Sequence, residues 1–535
     1  MIYDFIVAGG GSSGCLVAGK LAKEHGARVL VLEAGGNDDS PLIRMPAGFV
    51  KLLGVEKYMW FYKSTVQQRL NSREPVVPQG RVIGGGSSVN AMVYIRGQAS
   101  DYEPWVEATG DEQWSFRSLL AYFKRMEGNN RYNNELHGIN GPLKVSDPRQ
   151  ICDLSRIYVQ AAQAIGVPFN PDFNGPRQAG TGFFQLTVDN GERCSASKAF
   201  LRPALSTGRV DVRTGALVHR VLIENGRAVG VAFSHGSVLH EARCEREVLL
   251  AAGAIATPKL LMLSGIGPHF HLKENGIKTL VDLEGVGQNL QDHTEVPVLA
   301  FCKGEQGYYG QDRGINQIRN GLQYMLFKSG PVSSNGVEAC SFFDPDDLTA
   351  EAKIQQFCVP SVYLDSDVSS IRPQHGLTLN SCVLRPGSRG SVRLSSGNPG
   401  DQPLVDTNYF EDPEDLRLSL AGLRRAREIL GSEPLRSVIE REVFPGPGIT
   451  SREDLETFAK AYVKTVYHPV GTCRMGKSTD ESAVVTPDLR VKGVEGLRVV
   501  DASVMPRIIS GNTNSTTLVI ADKAVDFITG QRLVA

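Results

Sequence analysis

Residues 3–33, YDFIVAGGGSSGCLVAGKLAKEHGARVLVLE, decide the fold. Tyr3 to Ala8 is an apolar run of β-formers, the pattern of a buried parallel strand. Gly9, Gly11 and Gly14 then give the GxGxxG spacing, Cys15 to His25 has helical apolar spacing, and Arg28 to Glu33 reads as a second buried strand ending in a carboxylate. In this setting Gly9 permits the sharp turn, Gly11 lets the backbone approach a pyrophosphate, and Gly14 lets the helix pack closely on the strand. Ser12 and Ser13 open the helix, whose unpaired amides face the phosphates. Glu33 and Ala34 follow about 20 residues later, the reach expected for a ribose 2′-hydroxyl. A carboxylate there disfavours a 2′-phosphate. The fingerprint predicts a bound dinucleotide and leaves NAD or FAD open.

Outward from that stretch, 535 residues at about 150 per domain suffice for a large core and a second layer or domain. Hydrophobic residues at 41% and charged residues at 21% fit a soluble globular chain. A formal net charge of -1 offers no field for a polyanion, so nucleic-acid binding is not expected. The 57 glycines exceed the average share of about 7% and cluster without a three-residue period, which suggests tight turns and close backbone approaches. Nine cysteines with no CxxC pair argue against a disulfide framework or a thiolate zinc site, and ten scattered histidines without HExxH give no expected metal. The chain passes from Met1 into an apolar strand without a basic leader, and no run approaches the roughly 20 apolar residues of a transmembrane helix. A cytoplasmic address is expected, with peripheral membrane contact left open.

Three further segments carry signals. Gly80 to Asn90 (GRVIGGGSSVN) exposes several amides able to hold a diphosphate or a ring edge. Glu247 to Ala254 reads as a buried strand running into a turn, with a helix starting at Thr257 and Pro258 and closing at Leu263 to Gly267. Leu497 to Ser503 is a strand reaching Asp501, followed by a Gly511-Asn512 turn and an alanine-rich helix to about Thr529. In the middle, Thr378–Leu384 and Gly390–Leu394 read as hairpin material in an antiparallel sheet. Helices are expected over Pro413–Leu430 and Arg452–Thr465.

Together with EGVGQNLQDH (284–293), YHPVGTC (467–473) and DASVMPRIISGNTN (501–514), these segments closely resemble the glucose–methanol–choline (GMC) oxidoreductases over the full length and in the same order. An asparagine in the second catalytic position and the SGNTN wording place the resemblance nearest the choline dehydrogenase and bacterial primary-alcohol branches. It implies an α/β FAD-binding Rossmann-like domain with an α+β substrate-binding cap built on an antiparallel sheet. The FAD-binding domain would take 1–154, 201–294 and 463–535, and the cap 155–200 and 295–462. It also implies FAD held by Gly9, Gly11, Ser12, Ser13, Gly14, Glu33 and Ala34, with Arg81, Gly84, Gly85, Gly86, Ser88, Asn90, Met92 and Val93 along the flavin loop. Val218, Ala252, Gly253, Asp501, Ala502, Asn512 and Thr513 complete the cofactor set. Some choline oxidases attach FAD through a histidine in this loop. Val89 stands there, so noncovalent FAD is expected.

Oxidising an alcohol needs a group to take the hydroxyl proton while the α-hydrogen leaves as hydride, and histidine suits that task. His468, followed by Pro469, is biased toward extended backbone. Sequence distance does not bring it to Asn512; the resemblance does, onto the family's His–Asn pair. The expected reaction is a primary alcohol to an aldehyde by hydride transfer to flavin N5, with His468 as base and Asn512 bonding the alcohol oxygen. Electrons would pass to a quinone-type acceptor. Alternatives are an oxidase using dioxygen, a hydroxynitrile lyase-like enzyme, and a nonenzymatic flavoprotein module. A choline substrate would want an aromatic cage and an acid. Tyr308, Tyr309, Tyr324, Phe342, Phe343, Tyr363 and Tyr467 are the aromatic candidates, and Glu338 is an acid that could equally be structural. His293 and Asp292 read as architectural. No oligomeric state is legible.

Overall fold

Tyr3–Ala8 lies inside a seven-stranded sheet in the order 210–214, 29–33, 3–8, 238–250, 227–235, 216–224, with 497–499 also paired to 238–250. The strands flanking the glycine turn are parallel, and 216–250 adds an antiparallel meander. Val29–Glu33 is buried throughout, as its unbroken apolar run requires. The computed structural model describes residues 2–362, 371–372 and 374–531. Helix Ser12–His25 ends at left-handed Gly26 and packs on the sheet beside helix Asn514–Thr529, with Lys20 Nζ 2.5 Å from Asp522 Oδ1.

A second seven-stranded sheet, wholly antiparallel, runs 439–444, 294–302, 376–383, 354–359, 339–343, 180–183, with 464–465 joined to 294–302. Helices Asp153–Ala164, Pro413–Leu430 and Arg452–Tyr462 cover one face around their own apolar core. The helix expected over 413–430 forms with those bounds, capped by the Asp412 side chain on the Glu414 amide. Cys194, Ala196, Ala199 and Phe200 belong to the core of the first sheet, so the chain has returned there ahead of residue 200, the boundary expected for the cap segment.

Three expectations change. The helix expected over 452–465 ends at Tyr462, and Lys464–Thr465 pairs with the strand Thr294–Cys302. Gly376–Val383 has both edges taken, by Thr294–Cys302 and Ile354–Val359, so Ser391–Arg393 cannot join it as a hairpin and pairs instead with Leu404–Asp406. Asp415 pins the intervening turn by accepting the amides of Gly387 and Ser388 at 2.8 and 2.9 Å. The helix expected to start at Thr257 starts at Gly253, with Pro258 inside it. Asp501 holds that start, accepting from the Gly253 amide at 2.8 Å and the Thr257 hydroxyl at 2.6 Å. Proline leaves the Ala254 carbonyl without its helical donor, and the Thr472 hydroxyl replaces it at 2.6 Å. Among the described residues no helix is long and apolar enough to cross a membrane, and no cluster of His, Cys, Asp or Glu is arranged to hold a metal.

Candidate active site

Three helices of eleven residues or more, Ser12–His25, Gly253–Leu263 and Asn514–Thr529, aim their N-termini at one cavity of about 870 Å³ between the two sheets. Their free amides and aligned dipoles suit a diphosphate. Gly11, Ser12, Ser13, Gly85, Gly86, Asn90, Met92, Val93, Ala252, Gly253, Asp501, Ala502, Asn512 and Thr513 line this cavity, as does His468. A hollow of about 140 Å³ shares Gly11, Gly85 and Ala252 with it and adds Gly9, Glu33, Ala34 and Val218. Gly14, Arg81, Gly84 and Ser88 stand behind the wall. Gly14 abuts the Gly9 carbonyl, Ser88 Oγ bonds the Ile83 carbonyl at 2.7 Å, and the Arg81 guanidinium stacks on Trp60 at 4.2 Å. Ser87 Oγ donates to the Gly84 carbonyl at 2.6 Å, closing that turn.

These residues fit FAD. A Cβ added at Gly86 or Gly253 would meet nothing within 4 Å, because only cavity lies there. One added at Gly9, at φ +109°, would stand 2.5 Å from the Ala251 carbonyl. Bare backbone is what a pyrophosphate needs to come close. Glu33 is fixed by the amides of Gly10 and Gly35 at 2.9 and 2.8 Å, which leaves lone pairs for a ribose hydroxyl. Burial pushes its pKa up to about 7 against those hydrogen bonds. Asp501 spends both oxygens on protein donors, Gly253, Thr257 and Ser503, so it supports the cleft without offering a free carboxylate. Ser12 Oγ bonds Asn514 Oδ1 at 2.9 Å and accepts the Ser87 amide at 3.3 Å, joining the first helix, the second glycine loop and the last helix. Arg193, absent from the sequence reading, is buried under that loop. Its Nη1 donates to Asn90 Oδ1 and the Asn90 carbonyl, each at 2.7 Å, and its Nε to the Ile43 carbonyl at 2.8 Å. Its acceptors among the described residues are carbonyl oxygens with no carboxylate, and desolvation lowers its pKa to about 9.

His468 and Asn512, 44 residues apart, meet at the cavity wall with Nε2 and Nδ2 3.4 Å apart. Tyr467, just before the histidine, takes a left-handed φ of 68°. The His468 amide donates to Asp292 Oδ1 at 2.9 Å, while Asp292 Oδ2 accepts from Tyr409 at 2.6 Å and Thr465 at 2.5 Å. Burial lifts Asp292 to about 6 despite these donors. Gln355 Nε2 lies 3.4 Å from Asn512 Oδ1, turning the amide nitrogen toward His468.

His293 Nδ1 lies 3.0 Å from His468 Nδ1, and His293 Nε2 lies 2.9 Å from the Leu384 carbonyl. A carbonyl only accepts, so His293 carries its proton on Nε2 and presents a bare Nδ1. His468 Nδ1 must then donate, leaving its own Nε2 lone pair bare before Asn512. Burial holds both rings neutral: His293 falls to about 4, and His468 lies well below its ordinary value, lowered further by His293. Sequence reading gave His293 an architectural part; 175 residues from His468, it carries no local signal of this contact.

On the substrate side, Tyr308, Tyr309, Tyr324 and Tyr467 line the cavity with Phe357, Val359 and Asn380. Phe342 and Phe343 are buried strand residues away from it, and Tyr363 lies outside the described residues. Glu338 is fully buried and accepts from Cys152, Ser155, Ser334 and Tyr308, so it is structural. Glu295 faces the cavity but lies 3.2 Å from Lys464, with both side chains nearly buried.

Residues 3–295 and 386–521 match the amino- and carboxy-terminal parts of the GMC oxidoreductase family. Over 534 residues, 98% of the chain and 96% of the relative, the sequence is 40% identical to the alcohol dehydrogenase [acceptor] of Pseudomonas putida. It is 38% identical over 535 residues, 100% of the chain and 97% of the relative, to an oxygen-dependent choline dehydrogenase of Rhizobium etli. An FAD-dependent oxidoreductase from Chaetomium thermophilum superposes with a TM-score of 0.89 at 27% identity, covering 99% of each chain.

Proposed function

The chain belongs to the GMC oxidoreductase family, and from that premise we propose that it oxidises a neutral primary alcohol to an aldehyde and passes the electrons to a quinone-type acceptor. It is an FAD-dependent enzyme of the alcohol dehydrogenase and oxidase type. FAD, when bound, supplies the hydride acceptor. His468 Nε2 takes the hydroxyl proton while Asn512 Nδ2 donates to the same oxygen, so negative charge on that oxygen is met as the α-hydrogen leaves with its electron pair. The observation that carries this reading is the bare Nε2 beside the Asn512 amide, with the other ring nitrogen occupied by His293.

A neutral substrate follows from the acids. The buried carboxylates on the cavity wall are committed, Glu295 to Lys464 and Asp501 to backbone and hydroxyl donors, and the exposed Asp312 at the rim shares its charge with Lys51 and Arg313 at 3.8 and 3.9 Å. None offers an uncompensated charge to a quaternary ammonium group. Noncovalent FAD is supported by Val89, buried against Ile43, Leu52, Met59 and Val82. Among the described residues the cavity wall holds no cysteine and no histidine besides His468. The acceptor reading leans on the Pseudomonas relative. The nucleotide-binding body is assigned 1–152, 194–294 and 463–535, with the remainder as cap, the boundaries moved by Cys194–Phe200 in the first core and by helix Asp153–Ala164 in the second.

Anaerobic stopped-flow mixing with choline, benzylic alcohols and alkanols tests the substrate. Uncharged primary alcohols bleach the flavin, and choline does not at equal concentration. Recolouring by a quinone then outpaces recolouring by oxygen. Fast recolouring by oxygen would make the enzyme an oxidase, and bleaching by choline would remove the argument from paired acids.

A further inference from the structure

Helix Gly314–Phe327 is inside out. Ile315, Ile318, Leu322, Met325 and Leu326 recur at helical spacing on one arc about 100° wide, and all five are exposed, at 76, 60, 53, 72 and 71%. On the opposite face Asn320 and Tyr324 are buried, while Gln317 and Phe327 are exposed. Asn320 Nδ2 donates to the Gln311 carbonyl at 2.9 Å, and the Tyr324 hydroxyl donates to the Gly191 carbonyl at 3.0 Å. Gln317, Asn320 and Tyr324 also line the large cavity, and Met325 and Val50 reach its rim, so this helix is a cavity wall whose apolar arc runs from the rim onto the outer surface. Val50, 47% exposed, continues the apolar surface on the neighbouring short helix, where Lys51 reaches Asp312 at 3.8 Å. Five exposed apolar side chains contiguous along one helix mark an interaction site.

The charges select the occupant. From Arg313 to Val337 the sequence contains Arg313, Arg319 and Lys328 and no acid; Lys328 is paired with Glu192 at 2.9 Å, which leaves Arg313 and Arg319 at the helix. Arg319, at the edge of the apolar arc, has no acidic partner among the described residues, and Asp312 is already spent on Lys51 and Arg313. An apolar face rimmed by cations fits the interface of an anionic bilayer, where side chains enter the acyl boundary and guanidinium groups meet phosphates. A second copy docked face to face would instead bury Arg319 in an apolar interface with no acid on the helix to meet it. We propose that this face docks on an anionic lipid surface, so that the cavity opens against the membrane. Resting on the alcohol-oxidase or dehydrogenase reading of the cavity, such docking lets apolar alcohols or a lipid-soluble acceptor enter without crossing water.

The test is sedimentation of the FAD-loaded protein with phosphatidylcholine vesicles, with or without phosphatidylglycerol. The expected result is binding to anionic vesicles at least about tenfold tighter than to neutral ones. Ile318→Ser/Leu322→Ser/Leu326→Ser, which alters exposed side chains outside the cavity wall, should lose that binding by about tenfold or more. It should keep its flavin absorbance and its reduction by a short soluble alcohol. Arg319→Gln should reduce the preference for anionic vesicles. Wild-type protein that stays in the supernatant with both vesicle types overturns the proposal, as does undiminished vesicle binding by the triple variant. A wild-type dimer that the triple variant converts to monomer would make the face a self-interface and overturn it too. Vesicle binding is read without turnover, so failure of the proposed reaction leaves its result distinct.

Discussion

His468 can act as a base only while one lone pair is bare, and a second histidine secures that by filling the other side of the ring. In the proposed reaction, His468→Ala retains FAD but slows flavin reduction by at least about 100-fold. A variant reduced at the wild-type rate in stopped flow would remove its role. Because burial and His293 hold His468 below the ordinary histidine value of 6.5, the neutral form persists as pH falls to that value, and the acid limb of the reduction rate lies below it. His293→Ala admits water beside the ring and relieves the desolvation that is the main cause of the lowered value, so His468 keeps its proton to higher pH and the limb moves upward. A pH–rate profile that loses height but keeps its midpoint would instead indicate lost packing. His468 and Asn512 were legible because their local wording, YHPVG and SGNTN, is distinctive. His293 and Arg193 were not: their work depends on partners brought near only by pairing of the second sheet and by burial under the flavin loop.

Elements were legible where one physical rule governs them. The acidic start and apolar spacing of 413–430 fix a helix whatever surrounds it. The start of helix Gly253–Leu263 was misplaced because Pro258 ordinarily opens a helix, whereas here Thr472 and Asp501 supply bonds from distant segments. Thr472→Val leaves the Ala254 carbonyl buried and unpaired and should cost about 1–3 kcal/mol, read as a lower urea midpoint with unchanged slope. Gly86→Val puts a side chain into open cavity without requiring a positive φ. Its expected signature is a folded protein with normal circular dichroism whose FAD affinity falls by at least about tenfold. Retention of stoichiometric FAD would move the pyrophosphate away from this loop.

Across the whole molecule, the dinucleotide fingerprint specified two neighbouring parallel strands, 3–8 and 29–33, while the second sheet was visible only as uncertain alternation. Strand order there is set by pairings between distant segments, such as 180–183 with 339–343, which a single sequence does not encode locally. Since the cavity lies between the two sheets, FAD should stabilise their union by mass action, adding about 2.7 kcal/mol at 100 times its Kd. Melting of the FAD-stripped protein against rising FAD checks this, and a melting temperature independent of FAD would contradict it. The bond from Ser12 to Asn514 spans 502 residues. A ribosome therefore finishes nearly the whole chain before the cleft can close, and a nascent chain stalled short of residue 512 lacks both the clasp and the Asn512 amide. The complete cleft is thereby available only late in synthesis, after both ends of the chain have emerged.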